Sequence, residues 1–517
     1  MGGLSRHRPD LSIGKVKAMS AVLSLDSVRQ RSSQLNFVNQ AFIDGRYCAA
    51  ASGQTFDCVS PVDGRVLTQI ARCDQADVDR AVAAAKRAFE SGVWADLAPK
   101  ARKKTLLAFA DLMEKHADEL ALLETLDMGK PINDSLKVDI PLSINCVRWY
   151  AEAADKVYDE VAPTSPDVVA MLRREPVGVV AAIVPWNFPL LMASWKIGPA
   201  LATGNSLILK PAEQSSLTAI RVAQLAAEAG IPDGVFQVVP GMGPEAGKAL
   251  ARHMDVDCVA FTGSGEVGKL LLKYSGETNM KRVWLECGGK TPHIVLADTA
   301  DLHAAASAAA WGIFYNQGEV CNAGSRLLVE ESIKDELVEK VMQVGKSIRF
   351  GDPLDPATQM GAIVDQDQFA KVLSYIGLGQ EEGARLLMGG RKAFAETGGF
   401  YVEPTVFDGV RNDMRIAQEE IFGPVLSVLT FKDAEEAVKV GNATVYGLAS
   451  AVWTRDINKA HKMARALRSG VVWVNCFDGG DITTPFGGYK QSGFGRDKSL
   501  HAMEKYTEMK TIWIQLH

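Results

Sequence analysis

Cys321 closes the run Phe-Tyr-Asn-Gln-Gly-Glu-Val-Cys over 314–321, and Glu286 sits about thirty residues upstream in Trp-Leu-Glu-Cys-Gly-Gly-Lys over 284–290. A thiol and a carboxylate, each in a glycine-bearing turn, suggest a nucleophile and a base for covalent chemistry. A free thiol has a reference pKa of about 8.5, so such a cysteine needs a nearby base or positive field to react at neutral pH. The other cysteines (48, 58, 73, 146, 258, 287, 476) are scattered, with no Cys-x-x-Cys pair and no histidine at ligand spacing. That pattern indicates neither a metal site nor a disulfide framework, and it fits a reducing cytoplasm.

These residues need a scaffold, and a chain of 517 residues is long enough for two or three domains. Hydrophobic content of 47 % and charged content of 23 % are ordinary for a soluble globular protein. A net charge of −6 offers no basic footprint for nucleic acid. No apolar run approaches the ~18 residues of a membrane span. The first forty residues are polar and irregular, with Arg6, His7, Arg8, Lys15 and Lys17, and read as a mobile N-terminal extension.

Helical spacing of Ala, Leu, Lys and Glu from Asp77 to about Leu126 predicts two amphipathic helices. Beyond Val177 the pattern becomes short apolar runs (177–184, 206–210, 235–239, 256–261) alternating with helical stretches such as Ala219 to Gly230. Strand, helix, strand at this spacing predicts parallel α/β layering. A second α/β region follows over about 289–490, and short strand-like pieces lie near 157–176 and 510–515.

Gly263-Ser-Gly-Glu-Val-Gly268 matches the dinucleotide fingerprint G-x-G-x-x-G, whose ribose-binding acid is expected about twenty residues on, near Glu286. Other segments argue for a different use of that glutamate. Pro-Trp-Asn-Phe-Pro (185–189), Leu-Lys-Pro-Ala-Glu (209–213), Phe-Thr-Gly-Ser (261–264), Glu-Glu-Ile-Phe-Gly-Pro-Val (419–425) and Pro-Phe-Gly-Gly-Tyr-Lys (485–490) accompany the two segments above. In this order and spacing they resemble the NAD(P)-dependent aldehyde dehydrogenase superfamily from about Phe42 to the C-terminus.

The resemblance implies an α/β aldehyde dehydrogenase fold. Residues 41–156 and 177–288 would form a variant Rossmann cofactor domain and 289–490 a catalytic domain. Residues 157–176 and 491–517 would form a small β oligomerisation element, so a homodimer or homotetramer is expected. It implies Lys210 and Glu213 as holders of the adenosine ribose and Gly263 and Ser264 at the pyrophosphate, where free helix N–H groups favour anions. Trp186, Glu420 and Phe422 complete the implied cofactor site. Glu213 would accept from both ribose hydroxyls of NAD and repel the 2′-phosphate of NADP, so NAD is the expected cofactor and NADP the less favoured alternative.

Aldehyde carbon releases hydride readily only from a tetrahedral adduct, which thiolate attack creates. The resemblance makes Cys321 the nucleophile and Asn187, with the backbone N–H of Cys321, the oxyanion donors. Glu286 becomes the general base that activates water to release the acid. Cys287 replaces the leucine that usually follows this glutamate and reads as a packing residue or an oxidation liability.

The substrate funnel implied by the resemblance includes Phe188, Trp195, Tyr315 and Phe486. Beyond the resemblance, Asp139, Asp478 and Asp481 are expected to converge near an open mouth beside Gly480, where many relatives carry a bulky aromatic. Three carboxylates there would suit an aldehyde with a cationic far end. The segments 121–132, 148–153 and 490–502 are similar to bacterial γ-glutamyl-γ-aminobutyraldehyde and 4-guanidinobutyraldehyde dehydrogenases of putrescine and arginine breakdown. The alternative is a broad enzyme for aromatic, indolic or aliphatic aldehydes. A CoA-acylating enzyme would not need Glu286, and a non-catalytic protein on this fold would not need the full set of catalytic groups.

Overall fold

The computed structural model describes residues 24–517. An eight-stranded sheet runs in the order Arg46–Cys48, Ala41–Ile43, Phe236–Val238, Ser206–Lys210, Val179–Ile183, Cys258–Gly263, Arg282–Cys287 and Gly493–Phe494. Its five central strands are parallel. Runs such as Val-Val-Ala-Ala-Ile are buried along their whole length, because helices cover both faces of a parallel sheet. Separate apolar cores lie on its two sides.

Chain order reverses between Val179–Ile183 and Cys258–Gly263. In open α/β sheets the crevice beyond the strand C-termini at such a switch point is where ligands bind. Trp186 and Asn187 follow one of these strands and Ser264 the other.

A seven-stranded sheet builds the second lobe, with Arg385–Met388 antiparallel at one edge and Thr405–Asp408, Val425–Phe431, Arg326–Glu330, Pro292–Val295, Ala449–Trp453 and Val471–Val474 parallel. It too has an apolar core on each side. Phe188 packs against the cores of both lobes and so bridges the crevice. Glu160–Ala162, Val168–Pro176 and Thr507–Gln515 form a separate antiparallel sheet, with the last strand on its outer edge.

Three expectations change. Residues 1–23 lie outside the described residues, but the rest of the expected N-terminal extension is ordered: Leu25–Ser33 is a helix with a Ser24/Ser27 capping box. Val28 is buried there, and Arg29 pairs with Asp352 at 2.8 Å. The stretch expected to hold two helices contains three, Gln75–Glu90, Pro99–Lys115 and Ala117–Met128. His116, with ψ of 16°, breaks the helical path between the last two. The segment 491–517 is divided: Gly493 and Phe494 pair with Glu286 and Leu285 on the cofactor sheet, and only Thr507–Gln515 joins the small sheet.

Candidate active site

Cys321 is presented by a strained turn. After the helix Leu302–Phe314, the residues Asn316, Gln317 and Gly318 all have positive φ (47°, 59° and 73°). Such consecutive left-handed residues persist only where surrounding contacts hold them. Here the Gln317 side-chain oxygen accepts from Gly361 N–H at 2.9 Å, and a Glu319 carboxylate oxygen accepts from Val364 N–H at 3.1 Å. A Cβ on Gly318 would lie 2.2 Å from the Gly423 carbonyl oxygen, so the turn admits no larger residue.

Asn187 reaches this turn from the other lobe. Its amide nitrogen donates to the Glu319 carbonyl at 2.8 Å, and Asn316 donates to the Asn187 carbonyl at 3.1 Å. Its second amide hydrogen is uncommitted among the described residues. These bonds hold Asn187 against the cysteine loop, as an oxyanion donor must be held before charge develops.

Cys321 is partly accessible to solvent although protein surrounds it, as befits the floor of a funnel. Burial raises its thiol pKa well above the usual value, and the charges of Glu286, Glu420 and Asp478 add to the rise, while a hydrogen bond from Asn322 N–H opposes it. The resting group is therefore a protonated thiol that needs a base to become a nucleophile.

Glu286 is the buried carboxyl whose charge acts most on that thiol. It lies at the end of Arg282–Cys287 and is 4 % exposed, with one carboxylate oxygen lacking a hydrogen-bond partner among the described residues. Burial pushes its pKa up to about 8; Asp497 adds to this and Lys196, Lys505 and Arg496 oppose it. Asp497 is itself clamped between the ammonium groups of Lys196 and Lys505, all three buried. A carboxyl poised near the working pH suits a general base. Cys287, next in the strand, points to the opposite face as strand geometry requires. There it packs with the sheet core, its sulfur 3.2 Å from where a Gly268 Cβ would be.

The cofactor candidates line the crevice at the strand ends. Lys210 Nζ stands 3.2 Å from a Glu213 carboxylate oxygen, and the other Glu213 oxygen accepts from Gly243 N–H. Ser264 caps Gly265–Gly276, accepting from Val267 N–H at 3.3 Å, and Gly263 ends the strand before it. Across the crevice, Glu420 accepts from Gly289 N–H at 3.1 Å, and a Cβ on Gly288 would meet its carboxylate at 2.0 Å. Phe422, at φ 60°, meets Trp186 edge to face with centroids 5.2 Å apart. Carboxylate acceptors at strand ends, a helix N-terminus and glycines that admit close approach fit a dinucleotide.

The funnel candidates separate into two groups. Phe188 and Tyr315 stand 6.3 Å apart, and Trp195 and Phe486 stand 5.4 Å apart. Asp478 accepts from the side chain of Asn322, the neighbour of Cys321, at 2.8 Å. Asp481 is exposed and turned back on Thr483 N–H at 2.9 Å. Asp139 does not join them: it is fully buried, paired with Lys130, whose ammonium lies 4.1 Å over the Phe188 ring and 3.6 Å from Glu124. The expected three-carboxylate mouth is thus reduced to two.

Sequence reasoning passed over Lys130, Lys196, Glu319, Asp497, Lys498 and Lys505. A signal existed for Lys196, the one charged residue in the apolar helix Pro189–Ala202. The others stand in polar surroundings in the sequence, where a charge ordinarily reads as solvated.

A thiol, a carboxyl of raised pKa and a fixed amide donor, beside a cleft that suits a dinucleotide, are groups able to oxidise a carbonyl covalently. The chain belongs to the aldehyde dehydrogenase family, whose profile matches residues 47–512, and it is an oxidoreductase that converts aldehydes to carboxylic acids. It is 56 % identical to the NADP/NAD-dependent aldehyde dehydrogenase PuuC of Escherichia coli (strain K12), over 94 % of this chain and 98 % of that protein. A solved indole-3-acetaldehyde dehydrogenase in complex with NAD+ superposes with a TM-score of 0.95 at 63 % identity, covering 96 % of this chain and all of that one. A γ-glutamyl-γ-aminobutyraldehyde dehydrogenase from Burkholderia cenocepacia J2315 gives a TM-score of 0.94 at 60 % identity, with the same coverage.

Proposed function

We propose that this enzyme uses NAD to oxidise an amino-, guanidino- or γ-glutamylamino-butyraldehyde to its acid by a hydrolytic, non-acylating route. The carrying observation is Glu286, buried and incompletely hydrogen-bonded, its carboxyl raised to about 8 and its charge acting on the Cys321 thiol. Cys321 gives up its proton to solvent and attacks the aldehyde carbon as the thiolate, and Asn187 Nδ2 with the Cys321 backbone N–H receives the developing oxyanion. NAD, when bound, accepts the hydride. Glu286 then takes a proton from water, whose oxygen attacks the thioester and releases the acid and the thiol. Lys210, Glu213, Ser264 and Gly263 would hold the adenosine half, and Trp186, Glu420 and Phe422 the nicotinamide half. A carboxylate at Glu213 disfavours a 2′-phosphate, which supports NAD over NADP.

Asp478 and Asp481 at the funnel wall support an aldehyde with a cationic or amide-bearing tail, as does the likeness to the Burkholderia enzyme. The four aromatic rings favour a second reading, an indolic or aromatic aldehyde, in keeping with the indole-3-acetaldehyde dehydrogenase. The exposed outer strand Thr507–Gln515 supports a homodimer or homotetramer. No helix among the described residues is long and apolar enough to cross a membrane, and free cysteines throughout suit the cytoplasm, where we place the enzyme.

Initial rates of NADH formation over 4-aminobutanal, 4-guanidinobutanal, γ-glutamyl-aminobutanal, hexanal, benzaldehyde and indole-3-acetaldehyde test this reading. A preference of about tenfold or more in kcat/KM, worth about 1.4 kcal/mol, for a nitrogen-bearing butanal over hexanal and indole-3-acetaldehyde is expected. A profile led by indole-3-acetaldehyde or benzaldehyde selects the second reading.

A further inference from the structure

Lys498 follows the clamped Asp497 and takes an unusual course. It has φ of 63° and Ser499 follows with φ of 51°, a backbone that non-glycine residues rarely adopt and that must be held by its neighbours. The holding contacts are on both sides. Asp497 and Phe486 exchange two backbone hydrogen bonds at 2.7 Å, Ser499 N–H donates to the Ile482 carbonyl at 2.7 Å, and the buried Tyr150 hydroxyl donates to the Ser499 carbonyl at 3.1 Å.

This backbone aims the lysine inward. Its ammonium lies 5.9 Å from the Trp195 ring centroid and 3.3 Å from where a Cβ on Gly480 would be. A side chain at Gly480 would thus crowd the ammonium. The charge acts on Asp478 and Asp481, yet it makes no hydrogen bond and no ion pair within 4.0 Å among the described residues. Burial lowers its pKa, and the two aspartates only offset this in part. A partly desolvated ammonium without a direct anionic partner is an incomplete site for an anion. Asp478 links it to the reaction centre, because the same carboxylate accepts from Asn322 beside Cys321.

We propose that Lys498 is a specificity-determining residue of the funnel, whose ammonium receives a carboxylate at the far end of the aldehyde while Asp478 and Asp481 receive a neighbouring ammonium. A site with both signs suits a zwitterionic α-amino-acid head. Of the three butyraldehydes in the proposed function, on which this inference builds, only the γ-glutamylamino compound carries such a head. The aldehyde end still reacts at Cys321, so Lys498 acts on binding and takes no part in bond making.

The test compares two substrate pairs in the parent enzyme and in Lys498→Met, Lys498→Arg and Lys498→Glu. The pairs are 5-oxopentanoate against pentanal, and γ-glutamyl-aminobutanal against 4-aminobutanal. In Lys498→Met both ratios of kcat/KM fall by about tenfold or more, chiefly through a higher KM for the carboxylate-bearing member, as loss of uniform binding requires. Lys498→Arg keeps the ratios within about threefold, because charge is retained. Lys498→Glu inverts the second ratio in favour of 4-aminobutanal.

Raising ionic strength lowers the parent's first ratio, a readout that needs no variant to fold. Ratios in Lys498→Met within about twofold of the parent, or a parent ratio indifferent to salt, would overturn the proposal and leave Lys498 as a cation that merely neutralises its aspartates. If indole-3-acetaldehyde proves the best substrate, the butyraldehyde reading fails, whereas the 5-oxopentanoate to pentanal ratio still decides the role of Lys498.

Discussion

Glu286 shows how one carboxyl can be tuned by its place. With a pKa near 8, it is mostly protonated at pH 7 and becomes a base as pH rises. Steady-state turnover limited by thioester hydrolysis should therefore climb through a limb near pH 8. In Glu286→Gln the limb should disappear, with one equivalent of NADH released in a burst and turnover falling by ~10²–10⁴, the usual contribution of a general base. Rapid-mixing absorbance checks both. The same shift bears on stability. The folded state holds this proton more tightly than the unfolded chain, so the associated stability is present below about pH 4.5 and is lost as pH rises through 8. Glu286→Gln should gain melting temperature over the parent at pH 9 and little at pH 4, as read by calorimetry.

Elements set how closely these groups approach one another. Gly289 follows the strand that ends at Cys287, its N–H donates to Glu420, and a Cβ added to it would lie 2.8 Å from the backbone oxygen of Cys321. Backbone cannot yield as a flexible side chain does, so Gly289→Ala must displace the cysteine turn, Glu420, or both. A misplacement of order 1 Å typically costs about 10²-fold. Gly289→Ala should lose about that much in kcat while its circular dichroism spectrum is unchanged. Short continuous apolar runs made the parallel strands of the cofactor lobe legible in the sequence, and Ser206–Lys210 appears with the expected bounds. Breaks such as His116 were not legible, because nothing in its neighbours' helical spacing marks a change of direction. The strain at Asn316 and Gln317 was equally hidden, since the turn is held through Gln317 and Glu319 by partners at 361 and 364 that are distant in the chain.

At the scale of the whole molecule, the outer strand Thr507–Gln515 leaves one edge unpaired, with Trp513 61 % exposed and Met509, Ile514 and Leu516 also exposed. An edge of this length and apolarity ordinarily meets another chain, which supports the proposed oligomer. Trp513→Glu should weaken self-association by about 2 kcal/mol, roughly thirtyfold in Kd, the loss expected at an interfacial tryptophan. Light scattering over a dilution series measures it; an unchanged mass at all concentrations would count against this edge as the interface. Cys321, Glu286, Asn187 and the cofactor candidates stand in local motifs, because each proposed role depends on residue type and a short turn. The charge arrangement of the funnel was not legible in this way. Asp139 looked like a mouth residue until folding buried it against Lys130, and Lys498 looked solvated until a left-handed backbone turned it over Trp195. Chemistry carried by contiguous residues is written in the chain, whereas the sign of the charge at the funnel rests on which remote segments pack together and which ion pairs they close.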